Sequence, residues 1–122
     1  MEQVEVQKYF KEGYMPLVRF EHWRVAALNS ADKFKEENFS KMEKHLLTDE
    51  VFILIKGGAR LITGGFGEKP ENLEIIEMIP GTIYNVKKDV WHHIFVEEDS
   101  ELIIVENDNT GVENTAYAVV SK

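Results

Sequence analysis

Within eight positions of one another this chain carries three side chains able to bind a metal ion: Glu43, His45 and Glu50. An imidazole and carboxylates are the nitrogen and oxygen donors that suit divalent transition metals. Cysteine is absent, so thiolate ligands and disulfides are excluded and any metal must be held by His, carboxylate or amide groups. Directly after Glu50 comes the apolar, β-branched run Val51-Phe52-Ile53-Leu54-Ile55, then the turn sequence Lys56-Gly57-Gly58-Ala59. A polar cluster feeding a buried strand is how a β-barrel presents ligands at its mouth. The stretch Met42 to Gly57 therefore organises the reading of the rest. Three further histidines stand at positions 22, 92 and 93. In an extended chain alternate side chains share a face. His92 then lies with Val90, Ile94 and Val96, and His93 with Trp91 and Phe95, so only one of the pair points into a barrel.

The elements that must position these groups are short. Leu17 to Phe20, Glu21 to Leu28, Lys41 to His45 and Glu50 to Lys56 read as extended. Gly13 and Pro16 should break any regular element before them. In the second of these, His22, Arg24, Ala26 and Leu28 share a face. Ala31 to Ser40 lacks apolar periodicity and reads as a loop with a helical turn, anchored by Phe34 and Phe39. Gly57-Gly58 is a two-residue hairpin signal that should return the chain as a strand over Ala59 to Thr63. Further strands are expected over Leu73 to Ile79, Thr82 to Val86, Val90 to Val96, Glu101 to Glu106 and Thr115 to Val120, with turn residues between them. Short strands at regular spacing without strand–helix alternation indicate an all-β sandwich or barrel. Two strand-turn-strand halves, each with histidine, suggest a double Greek key.

At 122 residues the chain is one domain, able to bury about 65–70% of its unfolded surface. Its expected divisions are an N-terminal arm over 1–20, a barrel core over 21–107 and a C-terminal tail over 108–122. No apolar run reaches the roughly 18 residues of a membrane-spanning helix, and no basic-then-apolar leader opens the sequence. The net charge of −8 disfavours nucleic acid and anionic membranes, whose binding needs Lys and Arg. A cysteine-free chain fits a reducing cytoplasmic setting.

Glu43-Lys44-His45, Glu50 and Gly57 resemble the first motif of the cupin superfamily, in which a His-x-His pair, a glutamate and a closing glycine follow one another. Glu43 stands where that family has its first histidine, and Asn38 to Met42 holds no leading glycine. The second motif places a histidine after a turn, and Lys87 to His92 matches it at His92. The resemblance runs from about Trp23 to Glu106. It implies a double-stranded β-helix, or jelly-roll barrel, with His45, Glu50 and His92 as metal ligands for Fe, Mn, Zn or Ni and Glu43 as a fourth ligand or catalytic base. Two imidazoles and one carboxylate leave positions open for water or substrate. Arg24 is a candidate to hold a substrate carboxylate bidentately, and Phe52 and Tyr84, with Trp23 and Trp91, are candidates to line a pocket. His22 and His93 read as structural, His93 being turned toward the outer packing layer beside Trp91.

Three functions follow from this reading. One is a metal-dependent enzyme of isomerase, lyase or dioxygenase type acting on a small polar metabolite. Another is a non-catalytic cupin that binds a small molecule and whose metal site is degenerate at Glu43. The third is an interaction module with a filled barrel, which a measured cavity distinguishes from the other two. The resemblance and the need to cover strand edges also imply a homodimer, with Val4, Val6, Tyr9 and Phe10 of the arm laid on a neighbour.

Overall fold

The computed structural model of the chain describes residues 3–120; the outermost residues of the expected arm and tail, 1–2 and 121–122, lie outside them. The described residues form ten strands: β1 (Gly13–Phe20), β2 (Trp23–Asn29), β3 (Lys41–His45), β4 (Glu50–Lys56), β5 (Ala59–Thr63), β6 (Glu74–Glu77), β7 (Ile83–Val86), β8 (His92–Val96), β9 (Glu101–Asn107) and β10 (Thr115–Val119). Short 3-10 turns at Asp32–Phe34, Glu36–Asn38 and Val112–Asn114 are the helical elements, and no described helix is long and apolar enough to cross a membrane. The strands make two antiparallel five-stranded sheets, in the orders β1-β2-β9-β4-β7 and β10-β3-β8-β5-β6.

Period-two alternation drives this arrangement. In β9, Leu102, Ile104 and Glu106 are buried while the residues between them are half-exposed. In β4, Glu50, Phe52 and Leu54 are the buried set. These faces meet Leu61, Ile94 and Val96 of the opposing sheet in one apolar core. A second cluster of Phe39, Met42, Ile62, Trp91 and Phe95 fills the outer face of the second sheet. The Ala31–Ser40 segment lies over it, anchored by Phe39, while Phe34 joins the main core.

Two sequence expectations are corrected. Pro16 does not break the chain, since it lies inside β1, which starts at Gly13. It is an edge strand with a register shift between Pro16 and Val18, where a missing N–H does no harm. Part of the expected arm is thus a strand of the first sheet, as β10, within the expected tail, is of the second. Gly57-Gly58 does not close a hairpin: β4 pairs with β7 and β9, whereas β5 pairs with β6 and β8. The turn instead carries the chain from one sheet to the other. Gly57 has φ +88, and a Cβ there would lie 2.7 Å from Ser100 Cα. The buried Ser100 hydroxyl accepts from Gly58 N–H at 2.9 Å and donates to Gly58 C=O at 3.0 Å. That corner needs a glycine because another backbone occupies the space of its side chain.

Candidate metal centre

The end of β3 and the first residues of β4 and β8 come together at one end of the core. Alternation along β3 sends Met42 outward and Glu43 and His45 inward. Glu43 lies opposite His92 in the β3–β8 register, and Thr115 of β10 lies opposite His45. Glu50 arrives from the other sheet. Glu43, His45, Glu50 and His92 each offer one ligand atom, and these atoms all lie within 4.8 Å of one another. The set expected from the sequence is therefore gathered at one point.

Hydrogen bonds fix the orientation of both imidazoles. His92 Nδ1 lies 2.9 Å from the Val90 carbonyl, which can only accept, so Nδ1 carries the proton. Neutral His92 then presents a bare Nε2 lone pair, 3.0 Å from Glu50 Oε1. His45 Nε2 is also 3.0 Å from that oxygen, and its Nδ1 meets Thr115 Oγ1 at 3.0 Å. A lone pair facing a carboxylate is repulsive unless a cation lies between them. That cation is either a proton on the imidazole or a metal ion.

The 3.0 Å separations are those of ordinary N–H···O hydrogen bonds, and four donor atoms within 4.8 Å of one another are close enough to share one divalent ion. Each imidazole also has an outer partner on its second nitrogen, the arrangement that sets tautomer and basicity in metal-bound histidine.

With no ion bound, the electrostatics favour the proton. Burial pushes the Glu50 carboxyl up, but hydrogen bonds from His45 and His92 and their charges outweigh it and hold the group below the usual carboxylate range. Burial pulls both histidines down, yet the Glu50 contact and the charges of Glu50 and Glu43 leave them raised. Glu43 is less constrained: its side chain is 39% exposed and Oε1 is 3.7 Å from His45 Nε2.

The cluster lines a cavity of about 300 Å³ whose walls include Phe52, Leu28, Ile94 and Ile104. Phe52 stands where the sequence places it, its ring centroid 6.2 Å from that of His92. Arg24 also reaches this cavity, but every guanidinium nitrogen is already bonded. Nε donates to Tyr14 Oη at 3.0 Å, Nη1 to Asp108 C=O at 2.9 Å, and Nη2 to Glu106 Oε2 and Thr110 C=O at 3.1 Å each. Tyr84 is not brought to the cluster. It lines a separate cleft with Ile76 and Ile83, and its hydroxyl accepts from Ile79 N–H at 2.8 Å. His22 is exposed at the β1–β2 turn. His93 packs among Phe34, Phe39 and Phe95; burial, then the charges of His92 and Lys33, pull it down to about 4.

Sequence reasoning missed Glu106 and Tyr14. Glu106 is buried, and its Oε2 takes bonds from Tyr14 Oη at 2.5 Å and from Arg24. Burial and the Glu50 charge raise its carboxyl. The signal was present, because Glu106 follows Leu102 and Ile104 at period two and so had to face inward.

No family model matches the sequence, and no curated protein matches it. Solved structures do match. A cupin-2 domain containing protein from Shewanella frigidimarina is 20% identical with a TM-score of 0.57, over 80% of this chain and 84% of that one. Streptomyces PAC13, solved with uridine, is 9% identical with a TM-score of 0.63, over 95% and 86%. The QdtA 3,4-ketoisomerase from Thermoanaerobacterium thermosaccharolyticum, solved with TDP, is 20% identical with a TM-score of 0.59, over 76% and 64%. Such likeness at such identity speaks to architecture: the chain has the cupin jelly-roll fold. Within that fold it carries a possible metal-binding cluster of two histidines and two glutamates.

Proposed function

We propose that this chain is a small cupin-type protein that holds a divalent metal on His45, Glu50 and His92 and acts on a small polar metabolite. The observation that carries this is His92: its Nδ1 proton is committed to the Val90 carbonyl, so in the neutral ring Nε2 is the nitrogen left to bind an ion, and it is aimed at the Glu50 oxygen that His45 also faces. The bound ion would supply Lewis acidity toward a substrate carbonyl or hydroxyl. Its hardness preference, with two carboxylates nearby, favours iron or manganese over copper.

The chain's own residues do the rest. Glu43, half-exposed beside His45, takes or gives a proton at a substrate carbon or oxygen. Phe52, Leu28 and Ile94 exclude water from one wall of the cavity. Arg24 and Tyr14 fix Glu106. The cysteine-free, acidic composition suits a cytoplasmic protein that binds neither nucleic acid nor membrane. Val4, Val6 and Phe10 are 70–80% exposed, which favours a homodimer that covers them; a monomeric mass at micromolar concentration contradicts that part.

Elemental analysis of protein purified without chelator tests the metal assignment. About one iron, manganese, nickel or zinc ion per chain is expected, lost in both His45→Ala and His92→Ala. Retention at the wild-type level in both variants refutes it. The replacement of a histidine by Glu43 favours a second reading, a ligand-binding cupin without turnover, which a metal-free protein that refuses added divalent ions would support.

A further inference from the structure

The walls of the 300 Å³ cavity carry more charges than the metal cluster uses, and their pairing is uneven. Glu106 is answered by Arg24, Nη2 to Oε2 at 3.1 Å. Glu50 and Glu43 face the histidines. His93 is packed among the rings of Phe34, Phe39 and Phe95. That leaves Lys33, an exposed residue at the rim. Among the described residues its ammonium rests on the Phe34 ring, 5.1 Å from the centroid, and enters no ion pair. The nearest acid in sequence, Asp32, is taken by Lys35 at 3.3 Å, and Glu36 by Arg60 at 2.7 Å.

The same rim borders a second cavity of about 280 Å³, which shares Lys33, Phe34, Glu43, His93 and Tyr117 with the first. There Lys41 stands over the Tyr117 ring at 5.0 Å, also without an ion pair among the described residues. In a chain of net charge −8, Lys33 lines the cluster's cavity and Lys41 the adjoining one, each held against an aromatic ring and in no ion pair among the described residues. Between rim and cluster the wall is apolar, formed by Leu28, Phe34, Phe52 and Ile94.

Resting on the metal-site reading above, we propose that the ligand of this cavity is a compact organic acid whose oxygen donors face the His45, Glu50 and His92 cluster and whose far end carries a second anionic group held by Lys33. Three features set this class. The volume of about 300 Å³ lies at the bottom of the range of about 300–1,000 Å³ for small-molecule sites, which suits a compact ligand. The apolar middle favours a short carbon backbone. With a divalent ion in place and Glu106 neutralised by Arg24, the uncompensated charge on the outer wall is positive, which attracts anions into a low-dielectric cleft.

The test uses matched probes on the Mn2+-loaded protein, dialysed free of excess metal, with binding read by isothermal titration calorimetry. Malate and the one-methylene-longer α-hydroxyglutarate are compared with α-hydroxybutyrate and α-hydroxyvalerate, which replace the distal carboxylate by a methyl group. At least one dicarboxylate should bind about tenfold tighter than its methyl-ended match, the factor one charge-assisted hydrogen bond supplies. Lys33→Gln should erase the preference and Lys33→Arg should keep it; both changes are at an exposed position and leave the circular dichroism spectrum unaltered. Equal affinities within each pair, or a preference that persists in Lys33→Gln, overturn the proposal, as does failure of every probe on a protein that has taken up Mn2+. A protein that takes up no Mn2+ overturns the metal reading itself, and the acid-binding proposal falls with it.

Discussion

Replacing Glu50 by glutamine should reverse the sign of the pH dependence of stability in metal-free protein. In the wild type both imidazole Nε2 atoms lie 3.0 Å from Glu50 Oε1. His92 already spends its Nδ1 proton on Val90, so without metal it keeps that contact as an imidazolium. Its pKa and that of His45 are raised by the Glu50 hydrogen bond and charge despite opposing burial. A raised histidine binds more protons folded than unfolded, so its stabilisation is complete below the unfolded value of about 6.5 and is lost as pH rises through the folded value. The slope is at most about −1.4 kcal/mol per pH unit for each histidine. For a chain of this size about 1 kcal/mol is roughly 4 °C in Tm. Thermal unfolding of chelator-dialysed protein should therefore show Tm falling by several degrees from about pH 6.5 to about pH 8. Glu50, held low, stays ionised throughout this window and contributes no slope.

In Glu50→Gln the amide keeps the shape and loses the charge. Burial then dominates, both histidines drop below their unfolded value, and stability falls as pH decreases from about 7 to about 5. Metal supplies a third comparison: an ion needs the bare Nε2 atoms, so stabilisation by Mn2+ grows as pH rises. A Glu50→Gln protein whose Tm falls between about pH 6.5 and about pH 8 as steeply as the wild type's would refute the reasoning, because the proton site would then lie elsewhere.

Gly57→Ala should cost about 2 kcal/mol or more, since φ is +88 and the new Cβ would press on Ser100 Cα; a denaturant midpoint equal to wild type contradicts this. Leu54, at 0% exposure, should lose about 3 kcal/mol on truncation to alanine, read from urea unfolding at unchanged m-value. Trp91→Phe removes the indole bond to Gly67 C=O at 2.8 Å. It should speed amide exchange at Gly64, whose N–H bonds the Trp91 carbonyl, with little change in β9; uniform acceleration across both strands would mean global destabilisation instead.

The strands were legible because one face of each sheet is buried and period two writes that face into the sequence, as Phe52 and Leu54 show in β4. The clustering of His45, Glu50 and His92 was legible because metal chemistry restricts residue types and the motif orders them. What stayed hidden depends on partners distant in sequence. Pro16 reads as a breaker until β1 is known to be an edge. Gly57-Gly58 reads as a hairpin until β5 is seen to pair with β8. Arg24 reads as a candidate to hold a substrate carboxylate, but nothing local says that Glu106, 82 residues away, would occupy it. Tyr84 shares a register pair with Phe52, yet its hydroxyl ends on Ile79 rather than at the cluster.

Environment separates the roles of the carboxylates around this site. Glu50 is buried, takes both imidazoles on one oxygen and is held ionised; such a group is a poor proton carrier. Glu106 is buried too, but its Oε2 is fixed by Tyr14 and Arg24, so it balances charge. Glu43 alone combines nearness to the histidines with partial exposure and a single long contact of 3.7 Å. It can swing toward an ion or toward a ligand without leaving a buried charge unpaired. A histidine at position 43 would be one more neutral nitrogen donor; the glutamate adds a negative charge and a movable proton acceptor. Two groups of the same type are thus pushed to different tasks by what surrounds them. In the proposed metal site, the glutamate that looks from the sequence like the loss of a ligand would be the group best placed to move a proton.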